Sequence, residues 1–232
     1  MVNQPPAVSR RERLRAQTLR EIEDASFAIV DADGVHALSI AALARSMMMS
    51  APAVYRYFPS RDALVAHLAT LAYQQFAAAM GQAVEGSGRS PSAQVRLLAT
   101  AYRDWALRYP RRYAMLFGEQ AAQLPGDVTT ETPLDQAMAR LIDMLAAVQD
   151  IPPAESTTGD GTLDGQLRLW ARSQRRPDTT PPAARAAILI WTRVHGIVSL
   201  ELTGIFGNHT IDAQRLIDLE IDSALRSLGS WT

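Results

Sequence analysis

Residues 38–61 read Leu-Ser-Ile-Ala-Ala-Leu-Ala-Arg-Ser-Met-Met-Met-Ser-Ala-Pro-Ala-Val-Tyr-Arg-Tyr-Phe-Pro-Ser-Arg, a pattern that predicts two short helices meeting across a tight turn. Ser39 is placed to cap the first helix, and Ile40, Leu43 and Ala44 give it an apolar face at helical spacing. Met47–Met49 occupy the turn. Ser50 is placed to cap the second helix, with Pro52 in its first turn, where a missing N–H is tolerated. Val54 and Phe58 face inward and leave Ala51, Ala53, Tyr55 and Arg56 outside. Phe58-Pro59 closes this helix, because the residue before a proline is pushed out of the helical region. A helix-turn-helix lays its second helix in the major groove of DNA. The small side chains at positions 51–53 let the backbone approach base edges, while Tyr55 and Arg56 can reach phosphates or bases.

Toward the N-terminus, Ser9 is placed to cap a helix from Arg10 to Asp33, with Leu19, Ile22, Ser26, Phe27, Ile29 and Val30 inward. Residues 1–9 are expected to form a disordered tail. Arg10, Arg11, Arg13, Arg15 and Arg20 stand against the single acid Glu12, giving the first twenty residues a local charge of +4. This basic start is either an arm that touches phosphate or minor groove, or a solvated helix end; the helix-turn-helix behind it favours the arm. Asp33-Gly34 ends the helix, with Gly34 suited to a left-handed C-cap. On the other side, Ser60 is placed to cap a long helix carrying Leu64, Leu68, Leu71 and Phe76, which ends at Gly81 or at Gly86-Ser87-Gly88.

From Ile22 to Leu64 the chain resembles the DNA-binding domain of the TetR family of transcriptional regulators. The resemblance is carried by Ala25, Gly34, Ser39, Ile40, Ala44, Ser50, Tyr55, Phe58, Ser60, Arg61 and Leu64. Two further stretches, Tyr109-Pro110-Arg111-Arg112-Tyr113-Ala114-Met115-Leu116-Phe117 and Trp191-x-x-x-His195-Gly196, look like a branch of that family with a C-terminal Trp-x-x-x-His-Gly helix. The resemblance implies a homodimeric repressor, bound to a palindromic operator and released by a small, largely apolar ligand held in a C-terminal helical domain. Two departures stand out. Met48 occupies a turn position where the family commonly has Gly, and Ala51-Pro52-Ala53 replaces the frequent Lys-Gly/Ala-Thr. Base reading then rests on Arg56, Tyr57, apolar contacts to thymine methyls and DNA shape. The DNA-contacting set is Arg10, Arg11, Arg13, Ser39, Ser50, Ala51, Pro52, Ala53, Tyr55, Arg56, Tyr57 and Arg61.

Composition bounds the rest. The chain has 232 residues, 47% of them hydrophobic, with Ala and Leu dominant, which favours helices over sheets. The expected fold is all-α: a tail (1–9), a helix-turn-helix domain (10–59) and a helical effector-binding and dimerisation domain (60–232). No cysteine is present, so a disulfide framework and a thiolate metal site are excluded. The net charge is −1, which argues against indiscriminate coating of nucleic acid. Every basic residue is Arg, a bias too uniform to carry a function at any one site. The N-terminus lacks the apolar core of a signal peptide, and no segment has 18 uncharged apolar residues, so a cytoplasmic protein without a membrane span is expected.

Helical periodicity continues from Pro91 to the C-terminus, interrupted by a Pro-, Thr-, Gly- and Asp-rich loop at 151–165. The segments Ala183–Phe206 and Ile211–Leu228 are the most apolar, the first reading as buried nearly all round. Packing of this pair against a twofold mate predicts a homodimer through Val198, Leu202, Ile205, Ile217, Ile221 and Leu225. Trp105, Tyr109, Tyr113, Phe117, Met144, Trp170, Trp191 and His195 are candidates for an apolar ligand site with few polar groups, or simply for core. His195 reads as a core histidine holding a backbone carbonyl or as an effector contact. His36, His67 and His209 are scattered, so no metal site is expected. No cofactor loop, nucleophile motif or thiol is present, so no catalytic residue and no enzyme activity are expected. A helical dimeric interaction protein, or an activator without ligand-controlled DNA release, is the alternative to a repressor.

Overall fold

The computed structural model describes residues 9–118, 133–148, 162–207 and 210–229. Among them it is all-helical, as the composition predicts: α1 (Arg10–Asp33), a 3-10 turn (Val35–Ala37), α2 (Ile40–Ser46), α3 (Ala51–Tyr55), α4 (Arg61–Val84), α5 (Pro91–Arg108), α6 (Pro110–Phe117), α7 (Pro133–Val148), α8 (Leu163–Ser173), α9 (Pro181–Leu202) and α10 (Ala213–Gly229). The tail through residue 8, positions 151–161 of the loop, and His209 lie outside the described residues.

The chain divides into two compact units, one of Met1–Ala72 with Tyr109–Gly126 and the other of Tyr73–Arg108 with Asp127–Thr232. This division falls inside α4, after Ala72, whereas the sequence reading puts the domain boundary at 59/60. The reason is local. The first three turns of α4 bury Leu64, Val65, Leu68, Ala69 and Ala72 in the first unit. Helix α6 joins that unit through α1: Arg112 grips the Asp31 carboxylate at 2.9 and 2.6 Å and lies 4.0 Å from the Phe27 ring centroid. Arg111 donates beside it to the carbonyl of Ala32.

In the first unit, α1 starts with a capping box. Ser9 Oγ accepts the Glu12 N–H (3.2 Å) and the Glu12 carboxylate accepts the Ser9 N–H (2.8 Å). These bonds hold the Glu12 carboxyl below its ordinary pKa. The helix ends at Gly34, whose φ of 84° is positive as expected; its ψ of 168° is extended instead of left-handed helical, a combination open essentially to glycine. The core gathers Ile22, Phe27, Val30, Leu38, Leu43, Val54, Phe58, Leu64 and Leu68, all buried.

The turn between α2 and α3 is a Schellman closure. The Met49 N–H reaches the Ala44 carbonyl (2.9 Å) and the Met48 N–H reaches that of Arg45 (3.2 Å). This geometry needs a left-handed residue at position 48, and Met48 supplies it at φ 54° with 96% of its surface exposed. Helix α3 stops at Tyr55, three residues before the Phe58-Pro59 stop that the sequence suggests.

In the second unit α9 packs on α5, α7, α8 and α10. Ala184, Ile190, Val194 and Val198 are buried, but Leu189 and Leu200 stay about two-fifths exposed, so α9 is not buried all round. By length and mean hydropathy α9 is the one helix among the described residues that reaches the threshold for a membrane span, but Arg185, Arg193 and Glu201 interrupt it, so it holds no run of 18 uncharged apolar residues. In this fold it is instead tied into the bundle by Glu201–Arg103 and Arg193–Glu220 ion pairs.

A side chain at a left-handed position costs about 1–2 kcal/mol relative to glycine, and Met48 makes little compensating contact. Met48→Gly is therefore expected to raise stability by about 1 kcal/mol, because glycine's greater freedom in the unfolded chain takes back part of the gain. Thermal or urea melts of the two proteins measure this, and a lower midpoint for the glycine variant would contradict it.

Candidate nucleic-acid interface

Each half of the helix-turn-helix is held by groups that never leave the fold. Ser39 Oγ accepts the Ala42 N–H at 3.1 Å and starts α2. Ser50 sits at the N-cap of α3 without a side-chain cap bond, so its exposed hydroxyl faces solvent. On α3, Val54 is fully buried and anchors the helix, while Pro52, Tyr55 and Arg56 are exposed and Ala51 and Ala53 half-exposed. This is the in-and-out pattern expected of a groove-reading helix. Tyr57, just beyond it, is half-buried, and the Arg15 guanidinium lies 5.3 Å from its ring centroid.

Arg61 has a task inside the fold. Its Nε donates to the Leu38 carbonyl and its Nη2 to that of Val35, both at 2.8 Å, with Asp62 3.7 Å from Nη1. The guanidinium fork ties the start of α4 to the segment leading into α2, while the side chain stays 39% exposed. A second tie runs from α4 to α1, where His67 Nε2 and Glu23 Oε1 are 2.7 Å apart and the His67 ring lies against Phe58 (5.1 Å).

The eight candidates for a ligand site are divided between the two units. Tyr109, Tyr113 and Phe117 belong to the first unit, where Tyr109 lies beneath Arg112 (4.5 Å) and Tyr113 packs on Phe117 (4.9 Å). Trp105, Met144, Trp170, Trp191 and His195 belong to the second, with Trp105 and Met144 buried. There Phe76 presents its ring to the edges of Tyr102 and Trp105 at 4.9 and 5.1 Å. His195 bonds the Tyr102 hydroxyl through Nδ1 at 2.9 Å and stacks on Trp191 at 5.5 Å. Desolvation holds the imidazole below its ordinary pKa of 6.5, favouring the neutral ring. The indole N–H of Trp191 is buried without a hydrogen-bond partner. Tyr102, absent from the candidates chosen by sequence, carries a signal only in hindsight: it lies on the same 4-3-4 stripe as Trp105 and Tyr109.

The dimer face expected from sequence needs correction. Val198, Ile217 and Ile221 are completely buried inside the protomer, because α10 packs its inward stripe on its own α9 and α5. Leu202 and Leu225 are partly buried; Ile205 remains exposed. The side chain of Leu228 lies outside the described residues. The apolar residues left on the outside of the pair are Leu189, Leu200 and, at 62% exposure, Leu219. No cluster of His, Cys, Asp or Glu able to hold a metal occurs among the described residues.

Comparison with known proteins decides the family. The model described as "Bacterial regulatory proteins, tetR family" matches residues 22–68, and that described as "Tetracyclin repressor-like, C-terminal domain" matches residues 95–224. The chain belongs to the TetR family. It is a helix-turn-helix, DNA-binding transcriptional regulator and not an enzyme. The HTH-type transcriptional regulator Rv1816 of Mycobacterium tuberculosis (strain ATCC 25618 / H37Rv) is 32% identical over 183 residues, 75% of this chain and 76% of its own. The HTH-type transcriptional regulator YobS of Bacillus subtilis (strain 168) is 30% identical over 128 residues, 55% of this chain and 63% of its own. The crystal structure of the regulatory protein SCO4313 superposes with a TM-score of 0.73 at 34% identity, covering 94% of this chain and 99% of that one. That of the TetR-family regulator PfmR from Thermus thermophilus has a TM-score of 0.56 at 16% identity, covering 88% of this chain and 97% of its own, a likeness of fold alone.

The depressed pKa of His195 has a measurable consequence. A histidine kept neutral in the fold contributes stability above pH 6.5, and that contribution is lost as pH falls through the lower folded value. The melting temperature of the wild type is expected to fall more steeply below pH 6.5 than that of His195→Gln. Parallel pH profiles would remove His195 from the account.

Proposed function

We propose that this TetR-family regulator is a homodimeric repressor of the Trp-x-x-x-His-Gly branch, acting in the cytoplasm on a palindromic operator. Ser39, Ser50, Ala51, Pro52, Ala53, Tyr55, Arg56 and Tyr57 form its contact surface, from a domain that includes residues 10–59. The observation that carries the DNA-reading half is the solvent face of α3: exposed Tyr55 and Arg56 flank a backbone shielded only by Ala51, Pro52 and Ala53. Two such heads, about 34–36 Å apart, fit successive major grooves.

The dimer half of the reading rests on the outer face of α9 and α10. Leu189 and Leu200 stand about three turns apart on α9, with Gly196 between them, where an added Cβ meets no atom within 4 Å. A glycine in the middle of an exposed apolar stripe lets a partner helix approach closely. On α10, Leu219 is likewise exposed. Burial of this face against a twofold mate, with Ile205 at its edge, forms the dimer.

The effector half rests on the second unit, where Trp105 and Met144 are buried and His195, held neutral by desolvation, bonds Tyr102 and stacks on Trp191; Trp170 is a further candidate. A small, largely apolar ligand bound there favours a conformer whose heads are out of groove register. This requires that the ligand bind that conformer more tightly than the DNA-bound one.

Two experiments test the reading. Tyr55→Ala combined with Arg56→Ala is expected to lower affinity for a duplex selected by the wild-type protein at least a hundredfold, with the dimer intact by sedimentation. Unchanged affinity would remove α3 from the interface. Leu219→Asp is expected to shift the protein toward monomer in analytical ultracentrifugation and to weaken operator binding with it; a persistent dimer would place the interface elsewhere.

A further inference from the structure

The inward stripe of α1 does not stop where the core stops. Ile22 and Ser26 are completely buried, and the positions preceding them on the same face, at steps of three and four residues, are Leu19, Thr18, Arg15 and Arg11. Arg10 and Arg13 lie on the opposite side of the helix. Of the basic N-terminal residues, then, Arg11 and Arg15 look toward the helix-turn-helix. Arg15 shows where this leads: its guanidinium carbon is 5.3 Å from the centroid of the Tyr57 ring.

The Tyr57 ring is itself well held. Tyr57 is half-buried, its backbone N–H donates to the Val54 carbonyl at 2.9 Å, and its neighbour Phe58 is in the core. At the other end, the Ser9–Glu12 capping box keeps the first turn of α1 helical, so Arg15 projects from an ordered helix and not from a loose tail. A guanidinium lying on an aromatic face keeps its N–H edges pointing outward, which is how arginine meets phosphate oxygens. Among the described residues no carboxylate forms an ion pair with Arg15.

We propose that Tyr57 is a positioning residue, whose ring face holds the Arg15 guanidinium against the phosphate backbone of DNA bound at α3. The proposal rests on the DNA-binding reading of α3 and adds to it a contact from α1. It gives Tyr57 a role through its ring and not through its hydroxyl.

The test uses the full-length protein and a duplex that the wild type enriches from a random library, with affinity measured by fluorescence anisotropy across a salt series. Removing one phosphate contact makes the log affinity against log salt slope shallower by about one unit. Arg15→Ala is expected to show this change, and Tyr57→Leu to match it. The double variant should be no worse than either single change, and Tyr57→Phe should restore the slope that Tyr57→Leu loses. A wild-type slope for Arg15→Ala overturns the proposal. So do additive losses in the double variant, which would mean that the two residues act separately. A Tyr57→Phe variant as damaged as Tyr57→Leu overturns it too, because the hydroxyl would then be the contact. Melting curves of each variant separate a lost contact from a lost fold, and Tyr57→Phe keeps the test open if Tyr57→Leu unfolds. If Tyr55→Ala with Arg56→Ala leaves binding intact while the Arg15 predictions hold, the α3 reading fails and the α1 contact remains; the reverse result sinks only the contact.

Discussion

A helix of seven residues and one of five form the helix-turn-helix of this protein, and helices that short have no stability of their own in water. Everything around α2 and α3 answers that constraint. Val54 and Phe58 are sunk among Ile22, Leu43, Leu64 and Leu68, so the hydrophobic effect supplies what helix propagation cannot. Polar ties complete the frame. The Arg61 fork closes two backbone carbonyls before α2, Ser39 caps α2, and the His67–Glu23 contact joins α4 to α1. The exposed residues of α3 can therefore be chosen for DNA, because none of them is needed to hold the helix in place.

The second unit solves a different problem. It encloses aromatic and aliphatic side chains between helices and pairs the charged and titratable groups Arg103, Glu201, Tyr102 and His195, while the Trp191 indole N–H stays buried without a partner. Arg103 and Glu201 neutralise each other at 2.8 and 2.5 Å, and this pairing holds the Arg103 pKa above its ordinary value. Tyr102 and His195 meet as neutral partners. An interior of this kind suits a ligand recognised by shape and one or two hydrogen bonds, since an ionic ligand would meet no unpaired opposite charge at the Arg103–Glu201 pair. The exposed leucines of α9 and α10 are the surface counterpart, apolar area that a monomer leaves in water and a twofold partner would cover.

Much of this is legible in residue order. Local rules act within a few positions, so caps, periodicity and proline place α1 at Arg10–Asp33 without error and locate α2, α3 and the start of α4. The strained Met48 is visible as well, because a Schellman turn asks for a left-handed residue whatever its identity. Where several residues compete for one role, residue order misleads. Arg61 sits in a family motif next to the recognition helix and reads as a DNA contact; only the fold shows its donors closed on Val35 and Leu38. Arg15, one of five similar arginines, acquires meaning only with Tyr57 beneath it.

By itself, then, the sequence determined the all-helical class, the helix-turn-helix with its cap and turn residues, and the family, because each depends on spacings of three to eight residues along one chain. Tertiary structure alone decided which face of each helix is left over. It buried Val198, Ile217 and Ile221 within the protomer and left Leu189, Leu200 and Leu219 outside, and it assigned Tyr109, Tyr113 and Phe117 to the DNA-binding unit. The physical reason is that an apolar stripe states that a helix must be covered but not by what. Whether its own neighbours or a second molecule do the covering depends on crossing geometry between segments that can lie a hundred residues apart, and no local pattern encodes it.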